Sequence, residues 1–246
     1  MSEPRKRHIF LVFPVFQAVY PRPFQLFMEI ALLAGRLPDY EFGIWAPERQ
    51  PLVAAMNGVA DTMVRSTYWD AAIVFDDDCF PPRDVVTKLL TRCFDEGHPF
   101  VAAAGVMRNY PFTTTAGQHY PEGITSVWRN GKSELTGFSW LDDIPEALVD
   151  VDFCGVPAAI IHRSCFERIA RPWFGDQDEK GQRLTHDVFF CNKLKAAGIP
   201  VKLDGTIRCG HLLDPTICTF ENRALLRDSI KSQRIALGEE EQEPVS

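Results

Sequence analysis

Residues 71–82 read AAIVFDDDCFPP: five apolar residues, three adjacent aspartates, a cysteine, a phenylalanine and two prolines. A short apolar run bounded by turn formers fits a strand buried on both faces. Three neighbouring carboxylates repel one another. Asp76, Asp77 and Asp78 therefore need either solvent and a helix to cap, or a cation that makes the crowding favourable. Alternate side chains share a face in extended backbone, so Asp76 and Asp78 are expected to point the same way and offer two hard oxygen ligands to Mn²⁺ or Mg²⁺. The competing reading makes one aspartate a helix cap and leaves the others solvated.

The flanking sequence sets this stretch in an alternating series. HIFLVFPVF (8–16) reads as a strand closed by Pro14, and PFQLFMEIALLAGRLP (23–38) as a helix ending near Gly35. EFGIWAP (41–47) is a second strand and PLVAAMNGVADTMVRS (51–66) a second helix. PPRDVVTKLLTRCFDEG (81–97) is a helix opened by prolines, and FVAAAGVM (100–107) another strand. Strand–helix alternation over 8–107 predicts an α/β fold, a Rossmann-like, mostly parallel central sheet flanked by helices. In such sheets ligands bind beyond the carboxyl ends of the strands, where the three aspartates fall.

After Arg108 the sequence becomes polar, aromatic and rich in turn formers. SVWRNGKSEL (126–135) predicts a small antiparallel hairpin turning at Asn130-Gly131. VDVDFCGVPAAIIHRSCFERI (149–169) reads as a strand, a tight turn at Gly155 and a helix. HDVFFCNKLKAAG (186–198) reads as an amphipathic helix and IPVKLDG (199–205) as a strand. Asp187 opens that helix, where a carboxylate is favoured by the helix dipole whatever else it does. His186 is assigned no role, since adjacent helical residues face different directions. His211 follows a strand-like run, IRCGHLLD. One domain is expected over 1–235, and the acidic 236–246 is expected to be a disordered tail.

The chain has 246 residues, 46% hydrophobic and 24% charged, with a formal net charge of −7. That balance argues against a broad nucleic-acid surface. No apolar run approaches a membrane span, and the apolar stretch near the start is short, holds Pro14 and lacks a small-residue cleavage site, so it reads as a core strand. The seven cysteines are odd in number and contain no C-x-x-C pair, which points to free thiols in a reducing cytoplasm. Phosphate-loop, dinucleotide and nucleophile-elbow motifs are absent.

In their order, four segments resemble the GT-A glycosyltransferases that use nucleotide-sugar donors, family-2-like. IVFDDDCFPP resembles the DxD motif, with Asp76 and Asp78 in its acidic positions. THDVFFCNKLKAAGIPV resembles the later acidic motif and its helix, CGH the late histidine, and VDFCGVPAAIIHRSCFERI the glycine-bearing acceptor segment. The resemblance covers roughly residues 8–213. It departs at His186, where a glutamate is usual, and at Met56, where an arginine often precedes Asn57.

The resemblance implies a metal-dependent glycosyltransferase that transfers a sugar from a UDP-sugar to an acceptor hydroxyl with inversion. Asp187 would be the general base, and Asp76, Asp78 and His211 would hold Mn²⁺ or Mg²⁺. Pro14, Asn57, Asp76, Asp77, Asp78 and Arg108 would line the donor site. Gly155, Trp128 and Trp140, with Tyr120, would lie on the acceptor side, although the aromatics fit a local core equally well. The acceptor could be a saccharide, a small molecule, a protein or a modified nucleic-acid base. Two alternatives stay open at this point: a sugar nucleotidyltransferase, which usually carries a glycine-rich basic loop after the first strand, and a non-catalytic nucleotide-sugar or glycan binder.

Overall fold

The computed structural model describes residues 5–15, 20–47, 50–108, 112–119, 125–129, 132–136, 138–178, 181, 183–213 and 216–236, with backbone alone for 125–129, 132–136 and 233–236. In chain order the elements begin β1 (Arg7–Val12), α1 (Pro21–Ala34), β2 (Tyr40–Trp45), α2 (Leu52–Arg65), β3 (Ala71–Phe75), β4 (Cys79–Phe80) and α3 (Val85–Leu90). The last continues as a π-helical turn over Thr91–Asp95. There follow β5 (Phe100–Gly105), β6 (Ala116–His119), β7 (Thr125–Arg129), β8 (Lys132–Thr136), β9 (Phe138–Trp140), β10 (Leu148–Asp150), β11 (Phe153–Cys154) and β12 (Ala158–His162). The chain closes with α4 (Arg163–Arg168), α5 (His186–Ala196), β13 (Lys202–Leu213), β14 (Thr216–Cys218) and α6 (Arg223–Ala236).

The main sheet runs β10-β13-β5-β12-β3-β1-β2. β1, β2 and β3 are parallel neighbours, as are β5 and β13. β12 is inserted antiparallel between β3 and β5, a reversal that the sequence reading of 149–169 does not contain. Every residue of AAIVF and of β5 is buried, as expected of strands covered on both faces. One core lies on the α2, α4 and α5 face, around Met56, Phe166 and Phe190. The other lies on the α1 and α3 face, around Phe27, Ile30 and Leu89. The hairpin is present as β7 and β8, with Arg129 opposite Lys132. A second small antiparallel sheet joins β11, β6 and β9.

One irregularity positions the site. IPVKLDG and IRCGHLLD are not separate pieces but one strand, β13, whose register shifts between Asp204 and Arg208. It pairs with β5 on both sides of the shift, through Lys202–Asp204 and then Arg208 and Cys209, and from Gly210 onward it pairs with β4 and β14, placing His211 opposite Cys79. Asp204 holds the shift: it accepts from Arg92 Nε at 2.7 Å, from Thr206 N at 2.9 Å and from Thr206 Oγ1 at 2.6 Å. The sequence reading assigns no element to 219–235, where α6 packs Leu226 and Ile230 beside Val106 and Cys218. The expected acidic tail lies outside the described residues from 237 onward. Among the described residues no helix is long and apolar enough to cross a membrane.

Candidate functional site

The three aspartates leave β3 through a tight turn. Asp76 N donates to the Pro157 carbonyl at 3.1 Å, and Cys79 N reaches back to the Asp76 carbonyl at 3.3 Å. That turn ends the extended backbone on which a shared face for Asp76 and Asp78 was expected, because alternation ends where the strand ends. Asp78 is drawn towards β13, whose Leu212 N donates to the Asp78 carbonyl at 2.8 Å. His211 Nε2 then lies 3.1 Å from Asp78 Oδ2, and Arg108 Nη1 lies 2.8 Å from the same oxygen. His211 Nδ1 faces the Val106 carbonyl at 3.0 Å, so that nitrogen carries a proton and Nε2 is the one turned to the site.

The side-chain donor atoms of Asp78, Cys79 and His211 lie within 4.8 Å of one another. Asp76, expected as a ligand, is not in this group, and Cys79, which was not expected, is. Burial pushes the Cys79 thiol well above its ordinary range, so it stays protonated and donates to Asp78 Oδ1 at 3.8 Å. A neutral thiol suits a hard cation poorly. Burial opposes ionisation of Asp78, but the hydrogen bond and charge of His211, with Arg108, outweigh it and hold the carboxyl below its usual range. Burial likewise opposes a charge on His211, and Asp78 outweighs it in turn. A carboxylate beside an imidazole whose outer nitrogen is fixed by a backbone carbonyl is a donor set that fits a divalent cation such as Mn²⁺.

Asp187 is close enough to Asp76 for its charge to act there. Thr185 is the N-cap of α5, its hydroxyl accepting from Val188 N at 3.4 Å, so capping is not the task of Asp187. Asp187 Oδ1 is buried without a hydrogen-bond donor. His186 Nε2 lies 2.8 Å from it, in ion-pair range but not aligned as a hydrogen bond. This contact overturns the expectation that the two side chains diverge. Helix-face rules govern Cβ directions, and the imidazole is long enough for its tip to reach the neighbouring carboxylate. Burial opposes a charge on His186, but Asp187 and then Asp76 hold its pKa above the ordinary value. Burial, then the charge of Asp187, pushes Asp76 up to about 7, with His186 and His211 acting the other way. Two acid–histidine pairs, Asp78–His211 and Asp187–His186, thus flank Asp76 beyond the ends of β3 and β5.

The remaining expected residues divide. Pro14 is buried just past β1, where Phe13 N donates to the Trp45 carbonyl at 2.9 Å and ties the ends of β1 and β2 together. Asp77 is half-buried in the turn. Asn57 corrects its expected nucleotide contact: its amide donates to the Val53 and Phe174 carbonyls at 2.9 and 2.8 Å and accepts from Trp173 N and Phe174 N at 3.1 and 3.2 Å. Three of these four bonds pin the 173–174 loop onto α2, and the fourth stays within the helix. Gly155 donates its N–H to the Thr115 carbonyl at 2.7 Å, and a Cβ there would stand 3.0 Å from Thr115 Cβ, so close approach is the reason for glycine. Trp140 packs edge-on against Phe138 and Phe153 with centroids 5.0 and 5.3 Å away, as local core. The ring of Trp128, and Tyr120 altogether, lie outside the described residues. A cavity of about 860 Å³ between the α4 end and the outer side of α5, lined by Arg171, Asp176, Leu184, Phe189 and Lys193, contains none of the acid–histidine groups.

No protein-family model matches the chain, and no characterised protein matches its sequence. Solved structures do resemble it. A197 from STIV is similar over 87% of this chain and 93% of its own, with a TM-score of 0.53 and 17% identity. GalNAc-T7, solved with UDP, GalNAc and Mn²⁺, has a TM-score of 0.47 and 11% identity over 85% of this chain and 44% of its own. A CMP:2-keto-3-deoxy-manno-octonic acid synthetase complexed with CTP has a TM-score of 0.44 and 12% identity over 93% of this chain and all of its own. At these identities the likeness to A197 is one of fold, and it spans nearly the whole of both chains. The α/β, mostly parallel, helix-flanked central sheet expected from the sequence is the one observed.

Proposed function

We propose that the chain is a metal-dependent glycosyltransferase, moving a sugar from a nucleotide sugar, with UDP as the nucleotide, to an acceptor hydroxyl with inversion. The grouping of the Asp78–His211 pair and Asp187 around Asp76 supports this reading, because it would set a cation and a separate carboxylate side by side. Asp78 and His211 would hold Mn²⁺ or Mg²⁺. When bound, the cation supplies Lewis-acid neutralisation of the diphosphate charge that builds up as the donor bond breaks. Arg108, paired with Asp78 at 2.8 Å and half-exposed, would turn its guanidinium to the same diphosphate. Asp187 takes the proton from the acceptor hydroxyl as that oxygen bonds to the anomeric carbon and the bond from carbon to the phosphate oxygen breaks. His186 Nε2, 2.8 Å from Asp187 Oδ1, would orient that carboxylate. A single base opposite the leaving group gives inversion. Asp76 would contact the ribose at the base of the site.

The test combines binding with turnover. UDP and UDP-sugars with Mn²⁺ should raise the melting temperature, and Asp78→Ala should abolish that shift. Asp187→Asn should leave the shift intact and slow UDP release from the donor by about 10²–10⁴-fold, the usual worth of a positioned base. A variant that turns over within a few-fold of the parent would remove Asp187 as the base. A Mn²⁺-dependent shift unaffected by Asp78→Ala would remove the cation site.

A further inference from the structure

Helix α1 is apolar on two faces. Pro23, Phe27, Ile30 and Ala34 face the core. On the adjoining flank, Phe24, Met28 and Leu32 are 51%, 46% and 65% exposed, and Tyr20, just before the helix, and Leu33 are 45% and 40% exposed. Tyr20, Phe24, Met28 and Leu32 recur every fourth residue and form one ridge along the helix. Ile44, 59% exposed, extends the patch: it shares a face of β2 with Tyr40 and Phe42, which pack into the α1-side core, and β2 is the edge strand of the sheet. A helix apolar nearly all round is expected to be covered on both sides.

We propose that a second copy of this chain covers the ridge, with the two α1 helices packed antiparallel across a twofold axis at Met28. The spacing is self-complementary about that point. Phe24 of each copy meets Leu32 of the other, and Met28 meets itself, the isologous arrangement a twofold requires. The charges agree with it. In this register Arg22 falls opposite Ala34, Glu29 opposite Phe27 and Arg36 opposite Tyr20, so no charge meets its like. Glu29 is already neutralised by Arg83 at 2.8 Å. The ridge and Ile44 expose on the order of 500 Å² of side chain, at the upper end of what a monomer leaves bare and most of the roughly 800 Å² per partner of a stable interface. A lipid surface fits less well. Interfacial helices oppose their apolar face with a lysine- and arginine-rich one, whereas the other face of α1 is core, and a chain of net charge −7 is repelled by anionic headgroups.

The test is sedimentation velocity on the full chain from about 1 to 100 µM, where the parent should run at twice the chain mass at the upper end. Met28→Lys places two like charges on the axis and should weaken association at least tenfold while leaving the melting temperature of the diluted monomer unchanged. Met28→Cys should give a disulfide-linked dimer under mild oxidation, which the parent should not, because all seven native cysteines are buried. That variant keeps the test decisive if the lysine variant folds poorly. A parent that stays monomeric at 100 µM, a dimer that persists in Met28→Lys, or a Met28→Cys chain that does not crosslink would each overturn the proposal. A monomer that sediments with phosphatidylcholine–phosphatidylserine vesicles through Met28 would overturn it in favour of a membrane surface.

Discussion

Replacing Asp204 by alanine should both destabilise the chain and loosen the site. The side chain is fully buried and accepts three hydrogen bonds, one from Arg92 and two from Thr206. Removing one partner of a buried ion pair costs about 3–5 kcal/mol, mostly by stranding the other charge. Here Arg92 is not stranded: it keeps Glu96, whose two oxygens lie 2.7 and 2.9 Å from Nη1, and is partly exposed. The lower end, about 3 kcal/mol, therefore applies, and in a chain of this size it lowers the melting temperature by about 6–12 °C. Denaturant titration with the slope held common measures it. The pH dependence has a definite sign. Burial works against ionisation, but Arg92 and Thr206 outweigh it, so the folded pKa of Asp204 is depressed. The stabilisation is fully present above the unfolded carboxylate value of about 3.9 and fades as pH falls through the lower folded value. Parent and variant should differ most near pH 7 and converge in strong acid. Because Asp204 holds the register shift that carries His211 to Asp78, the variant should also lose Mn²⁺-dependent stabilisation. A variant within about 0.5 kcal/mol of the parent at pH 7, or a gap that widens on acidification, would refute this account of the bulge.

Asn57→Ala should cost about 2–3 kcal/mol in denaturant titration, since it leaves the backbone groups of the 173–174 loop unpaired. It should leave nucleotide binding per folded molecule unchanged in calorimetric titration. Thiol titration should count no fast-reacting cysteine in the native chain and all seven after denaturation, because every cysteine is buried and free.

The α/β sheet was legible because buried strands and amphipathic helices carry their periodicity locally. AAIVF, FVAAAG and the helices of 21–65 form where that periodicity puts them. The reversal of β12 was not legible: AAIIH has the apolar run of any buried strand, and its direction depends on which neighbours remain unpaired when it arrives. Composition and cysteine pattern correctly indicated free thiols. Asn57 was misread because a polar residue on a helix looks the same in sequence whether it meets a ligand or holds a loop.

At the site, residue types and their order came from the sequence alone: an acidic cluster at a strand end, an acid in the first turn of a helix, a late histidine. Their partnerships came from the tertiary structure. A turn at 76–79 separates Asp76 from Asp78, and the shifted register of β13 seats His211 against Asp78 and Cys79. The start of α5 brings His186 onto Asp187 and both within electrostatic reach of Asp76. Local patterning reports only what a residue does with neighbours a few positions away. His211 meets Asp78 and Cys79, and the start of α5 meets Asp76, across more than a hundred positions, through backbone bonds and burial that exist only once the sheet has closed.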